Sequence, residues 1–551
     1  MLSLPLVAAA LLPQGSGSLS ATVNDPMSHG VVGDALLSLN EAIRIANGSL
    51  SVSALSAAEL ARIAGTGTLL DNIYIDAAVT PSITLQAPLA DLTVIPGPHY
   101  HIHITGIPAP GVPEPVIAGG SQPRVFTFRT YNAMLHGLRI DGGQVGVDAL
   151  MPQPAAPAAH MAEVMHCSFH AQTTAAVYLH GNGTDESMLM VTECELTSMP
   201  LGFLLDDQTA GGLLMLEAER VHMDGVVLGS RVVEAGAGGN MSELMLFRST
   251  FVNGTTLAEQ RRPNSGAQQF MFRFVHSQVT CTGNVLDIEG SASGLTMVHH
   301  HHSNFVAGPG QKAFWVYPRT AEFDVHGSEM DFTGDVAITG NLTSPRFWQQ
   351  NNTYRNGTVT LDIDGALPNL LWNHYENCTI DVPVTARSPV VVRQSELIAT
   401  NVASASFLAP VTLQGCWRAS GTLSGFATEQ TPAPSQFLGT TTITPAAPQV
   451  GTSVTLSASL PPGIALIWDI ALSYARPNTT QEPVRFYGDP ATVVVLPAVV
   501  VFQSTLTIPI PNIAALAGLE FYAQGISLPL NNQPWVPAYH LPRGAPIWLQ
   551  P

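Results

Sequence analysis

The sequence predicts an all-β chain built around a parallel β-helix solenoid, with a helical cap at its N-terminal end and a small β-sandwich-like module at its C-terminal end. Three observations carry this. A short strand-like pattern recurs about every 25 residues. The residues of each copy sort by alternation into an apolar side and a polar side. Gly and Pro (48 and 42 residues) punctuate the chain into short segments rather than long helices.

The recurring pattern is a large residue, any residue, a small Cys, Ser or Asn, any residue, and a large apolar residue. It reads Met165-x-Cys167-x-Phe169, then Thr192-x-Cys194-x-Leu196, Phe247-x-Ser249-x-Phe251, Val275-x-Ser277-x-Val279 and His301-x-Ser303-x-Phe305. It continues as His326-x-Ser328-x-Met330, Gln350-x-Asn352-x-Tyr354 and Glu376-x-Cys378-x-Ile380. Taken as strands, these copies point the named residues inward and the skipped ones outward. Most copies are followed by a second apolar run, such as Ala176-Val177-Tyr178-Leu179 or Gly202-Phe203-Leu204-Leu205. Two or three strands per repeat describe one coil of a β-helix, whereas a propeller blade needs about 40 residues or more. Stacked coils set equivalent residues about 4.8 Å apart, so Ser277, Ser303 and Ser328 are expected to form one column. Four of the five cysteines occupy the small inward slot, and a Cys167–Cys194 bridge between neighbouring coils is compatible with that spacing.

Composition removes several function classes. Asp and Glu number 40 against 21 Lys and Arg, a formal charge of −19, so nucleic acid is not an expected partner. Lys312 is the only lysine, which leaves almost no room for Schiff-base or P-loop chemistry. No apolar run reaches the roughly 18–20 residues of a transmembrane helix. The apolar stretch Met1–Leu12, followed by a Gly- and Ser-rich segment, reads as a secretory leader. Triplets beginning at Asn182, Asn253 and Asn341 would accept glycans only on a eukaryotic secretory route. The expected organisation is a signal peptide in residues 1–20, a cap and first coils in 21–143, the main solenoid in 144–431 and the terminal module in 432–551.

In the N-terminal segment Leu39, Ala42, Ile43 and Ala46 fall on one helical face, and a second helix is expected over Ala54–Ala64. A helix here would cover the open end of the solenoid. Strands follow, including Ser82-Ile83-Thr84-Leu85, Arg124-Val125-Phe126 and Gly137-Leu138-x-Ile140. With Ser38, Leu39, Glu41, Ala42 and the closing Ala46-Asn47, this order resembles exported bacterial β-helix proteins that begin with a CSLREA capping element and continue into coils like those of polymorphic outer-membrane proteins. Leu37 stands where that family carries Cys, and Asn40 where it carries Arg. The resemblance covers residues 22–143. It implies a right-handed helix and a secreted or cell-surface location, and it implies no reaction. Beyond Pro432 the period ends, and alternating runs such as Ser453-Val454-Thr455-Leu456-Ser457 form the sandwich-like module.

The outward stripe is where function is expected. Glu193, Glu195 and Arg248 are the candidate catalytic groups. On one strand face Glu193 and Glu195 would be about 7 Å apart, within the range that acid–base cleavage of a glycosidic bond requires. His276, Gln278, His302, Asn304 and Glu329 are the candidate ligand-binding groups, and His276 with His302 the candidate metal pair. Within the run His299–His302, His301 is expected to point inward above His326. Asp206-Asp207 is similar to the paired aspartates of galacturonases, but the remaining motifs of those enzymes are missing. Leu286-Asp287-Ile288-Glu289-Gly290 and Leu361-Asp362-Ile363-Asp364-Gly365 raise calcium as a cofactor, but repeated turn chemistry is the favoured reading and no cofactor is expected. The favoured reading is a binding or structural surface protein that contacts extended polysaccharide along an outer sheet. The alternative is a polysaccharide lyase or glycoside hydrolase of the pectinase-like β-helix type.

Overall fold

The computed structural model describes residues 18–28, 32–65, 69–93, 102–150, 162–181, 186–207, 213–234, 241–261, 269–288, 296–301, 303–316, 323–328, 330–341, 347–350, 352–365, 369–371, 373–393, 395–414, 416–418, 420–430, 441–445, 448–458, 464–472, 500–501, 505–512, 520–529 and 545–548. It is 60% strand and 5% helix. Among the described residues three long sheets of 17, 15 and 13 strands run along the solenoid. One coil takes a strand from each in turn: Ala162–Met165 in the first sheet, Ser168–His170 in the second and Ala175–His180 in the third, then Glu186–Thr192 back in the first. Each strand pairs in parallel with its equivalent one coil later, as in Ala162–Met165 with Leu189–Thr192 and Ser168–His170 with Glu195–Thr197. The fold is therefore the parallel β-helix that the repeat predicts.

Side chains on the inner faces pile into one continuous core. Val164, Val191, Ala218, Leu246 and Phe274 are register partners in the first sheet, and all are buried. Phe169, Leu196, Met223, Phe251 and Val279 do the same in the second. Aromatic stacks continue the column, with Phe332, Tyr354 and Tyr375 lying parallel at 5.3 and 4.9 Å.

The small residue of the repeat has a physical cause that alternation alone does not supply. It sits at the corner between the first and second sheets, not within a strand. The residue before it is left-handed: His166, Glu193, Arg220, Arg248 and His276 have φ of 50, 52, 54, 49 and 54°. Such a backbone costs a non-glycine residue about 1–2 kcal/mol, and here it turns the chain. At the bend the backbone ladder lapses, and the next N–H needs another acceptor. The inward side chain of the following coil supplies it. Val221 N–H donates to Ser249 Oγ (3.1 Å) and Ser277 N–H to Ser303 Oγ (3.0 Å). Further along, Met330 N–H donates to Asn352 Oδ1 (3.0 Å), Asn352 N–H to Asn373 Oδ1 (2.9 Å) and Asn373 N–H to Ser395 Oγ (3.0 Å).

The bend also shifts the alternation by one residue. Cys167 and Phe169 point inward as expected, but Met165 is half-buried on the outer face. The expected serine column likewise holds for Ser277 and Ser303 and breaks at Ser328. Ser328 closes a first-sheet strand opposite His301, and Met330 takes the corner slot, where its Sδ accepts from Ser303 N–H at 3.3 Å. In the histidine run it is His300 that is fully buried, while His299 is the register partner of His326. Cys378 occupies the second-to-third-sheet corner, after Asn377 (φ 51°). All five cysteines are buried free thiols. Cys167 N–H donates to Cys194 Sγ at 3.5 Å, so the neighbouring pair stacks without bridging.

At the N-terminal end helix Leu39–Ala46 packs on strand Leu69–Asp76, with Leu39, Ala42, Ile43 and Ala46 buried. Ser38 and Glu41 form a reciprocal capping box. The expected second helix shrinks to a 3₁₀ turn, Val52–Ala54, and one α-turn, Ala57–Leu60. Strand Ile63–Gly65 then lies antiparallel on Ser18–Val23 and covers a sheet edge. In the terminal segment Thr441–Thr444, Ser453–Ala458 and Thr505–Pro509 form one antiparallel sheet. Ile464–Leu472, Val500–Val501, Glu520–Pro529 and Ala545–Trp548 form a second. No helix among the described residues is long and apolar enough to cross a membrane. Of the expected leader, residues 1–20, residues 1–17 lie outside the described residues, and Ser18–Ser20 open the strand Ser18–Val23 that pairs with Leu69–Asp76.

Candidate functional site

The stripe expected on one flat sheet is divided by the corner. Glu193 is the left-handed corner residue and Glu195 opens a second-sheet strand, so the two are not alternate residues of one strand. Glu193 belongs to an exposed ion-pair chain that climbs the corner. Its Oε2 lies 3.0 Å from His166 Nδ1 and its Oε1 2.5 Å from Arg220 Nη1. Glu219 Oε1 then lies 3.6 Å from both Arg220 Nη2 and Arg248 Nη1. Arg248 and His276 are the next corner residues. Glu195, Gln278 and Asn304 do share a face. In the second sheet's outer ladder Ser168, Glu195, His222, Thr250, Gln278, Asn304 and Asp331 are successive register partners. His302, Glu329 and the Glu289 of the first acidic strand end lie outside the described residues. Asp287 is 3.0 Å from Arg261, and Asp362 accepts from the Thr385 hydroxyl at 2.8 Å. Among the described residues no group of three or more His, Cys, Asp and Glu side chains is arranged to hold a metal ion.

Among the described residues a dense polar constellation lies elsewhere, on the outer face of the third sheet. Strands Arg124–Phe128, Val145–Leu150, Ala175–His180 and Leu201–Asp207 belong to four successive coils. Val147, Val177 and Phe203 point inward, and the alternating positions point out. The register puts Asp148 beside Tyr178, and His180 beside Asp206. Two hydrogen bonds run diagonally from one coil to the next: Asp148 Oδ1 meets His180 Nε2 at 2.5 Å, and the Tyr178 hydroxyl donates to Asp206 Oδ2 at 2.7 Å. The Tyr178 and His180 rings stack at 3.6 Å with a 34° tilt. Asp148 Oδ2 accepts from Arg129 Nη2 and pairs with Arg124 Nη1, both at 3.1 Å.

Asp148 is fully buried although it faces outward, and its three partners cover it. Their side chains retain 47% (Arg124), 22% (His180) and 19% (Arg129) exposure, so solvent reaches the rim of the cluster. Burial opposes ionisation of Asp148. The hydrogen bond and charge of His180, with Arg124 and Arg129, outweigh it and hold the carboxyl below the usual aspartate value. Burial, reinforced by the bond to Asp206, pushes the Tyr178 hydroxyl well above its ordinary value, so it keeps its proton. The arrangement thus offers an ionised carboxylate orienting an imidazole, a protonated phenol on a second carboxylate, and a half-exposed guanidinium. Groups with opposed pKa shifts on one face can hydrogen-bond a polar ligand or move protons.

Sequence reasoning missed most of this cluster. In the sequence Asp206 stands out only as half of an Asp-Asp pair, and Ala176–Leu179 reads as an apolar strand. The usable signal was an Asp inside the apolar run Val145–Leu150, and Tyr178 and His180 alternating with Val177 and Leu179. No protein-family model, curated protein or solved structure matches the chain.

Proposed function

We propose that this chain is a secreted or cell-surface β-helix protein with a binding and structural role, and that it holds extended polysaccharide across its outer sheets. The observation that carries this reading is the third-sheet cluster Arg124, Arg129, Asp148, Tyr178, His180 and Asp206. A stacked ring pair and fixed hydrogen-bonding groups at a partly exposed rim are what a sugar ring requires: an apolar face and directional polar contacts. The second-sheet ladder of Glu195, His222, Thr250, Gln278 and Asn304 extends the polar surface at the coil repeat, a spacing suited to a polymer. The apolar leader-like N-terminus and the resemblance of residues 22–143 to exported proteins support the location.

The same cluster favours one second reading, cleavage of the polysaccharide by a lyase or glycosidase. His180 held by Asp148 is a base oriented by a carboxylate, and Tyr178 is a proton donor. Glycan-array binding by the full chain, lost in Tyr178→Ala and His180→Ala without release of product, supports the binding reading. Release of reducing ends or unsaturated uronates that stops in Tyr178→Phe establishes the second. If no glycan binds and none is cleaved, the polysaccharide reading fails.

A further inference from the structure

The outer face of the first sheet carries a different chemistry. In the ladder that joins its strands, Met188, Met215, Glu243, Met271 and Met297 are successive register partners. Two residues along, Met190, Glu217, Met245, Arg273 and His299 form a second column. The intervening Leu189, Leu216, Leu244, Phe272 and Val298 are buried in the core, so both columns face outward. Six thioethers therefore stand in a two-column grid with two carboxylates, an arginine and a histidine.

At one end of the grid the thioethers are accessible. Met245, Met271 and Met297 are buried, whereas Met188, Met190, Met215 and Glu217 are only half-buried. Partners in neighbouring coils are about 4.8 Å apart, and alternate residues of one strand about 6.6 Å. Met188, Met190 and Met215 thus form a right-angled triangle. Their flexible stems let three sulfurs converge on one ion. Thioether sulfur selects soft ions, Cu(I) above all, over the hard divalent ions that carboxylate clusters take.

The local field favours a cation. In the ladder Glu217 stands beside Met190, and Glu243 beside Met215. Arg273 lies two coils beyond Glu217 in its column, with Nη2 3.5 Å from Glu243 Oε1 and 3.3 Å from Met271 Sδ. Packing does not explain the choice of residue either, since leucine fills half-exposed outward positions as well as methionine does.

We propose that Met188, Met190 and Met215, with Glu217 beside them, form a binding site for a soft monovalent cation such as Cu(I). The test is titration of the full chain with Ag(I), a redox-inert stand-in, under reducing conditions and read by isotope-labelled methionine methyl NMR. The methyl signals of these three residues shift and saturate together as one ion binds. Replacing all three with leucine lowers Ag(I) affinity at that site by about tenfold or more, while the five thiols, common to both proteins, bind as before. Methyl signals that stay put while silver binds elsewhere overturn the proposal, as does an unchanged affinity in the triple variant. If the triple variant fails to fold, Met190→Leu and the wild-type spectra decide in the same way.

Discussion

Replacing Asp148 with alanine removes the one carboxylate that Arg124, Arg129 and His180 share. Deleting one member of a buried ion pair costs about 3–5 kcal/mol, because the remaining charge is left without compensation. Here Arg129 keeps a second pairing, Nε 3.7 Å from Asp91 Oδ2, and Arg124, Arg129 and His180 are 47%, 19% and 22% exposed and regain part of their hydration, which places the expected loss at about 3 kcal/mol, the low end of that range. Urea unfolding and amide exchange in strands Val145–Leu150 and Ala175–His180 read it, the latter because solenoids open locally. The pH dependence has a fixed sign. A depressed carboxyl pKa contributes stability that is fully present above the unfolded value of about 3.9 and is lost as pH falls through the lower folded value. The stability difference between wild type and Asp148→Ala therefore narrows in acid. A variant within about 0.5 kcal/mol of wild type at neutral pH, the spread of ordinary surface substitutions, refutes the assignment of Asp148 as the keystone of this face.

Ala399 has φ 48° on an exposed corner, so Ala399→Gly relieves left-handed strain and offsets the entropy of glycine; the unfolding free energy from urea titration is expected to stay equal or rise by up to ~1 kcal/mol. A clear loss would show that the bend costs nothing. Ser303→Ala removes the acceptor of the buried Ser277 N–H and should cost about 1–3 kcal/mol, seen as faster exchange of the Ser277 amide; unchanged exchange would sink the corner account.

The repeat fixed the parallel solenoid in advance because coil stacking demands periodic inward residues. Cys167, Phe169, Ser277 and Ser303 announce it without any knowledge of the turns. The cap was equally readable, since Ser38 and Glu41 lie three residues apart at the start of an amphipathic helix. What alternation cannot register is a left-handed residue. His166, Glu193, Arg248 and His276 each slip the inside–outside phase by one, and that slip removed Glu193 and Glu195 from a common face. Coil length is the second missing quantity. Neighbouring corner slots are 28 residues apart at Val221 and Ser249 but 21 at Asn352 and Asn373. An uneven period hides which outward residues meet, so Asp148, Tyr178, His180 and Asp206, and the methionine grid beside Glu217, came together only through the register of the folded coils. One strand's sequence specifies which side chains face out, whereas their neighbours belong to the coils above and below, at distances along the chain that only packing sets.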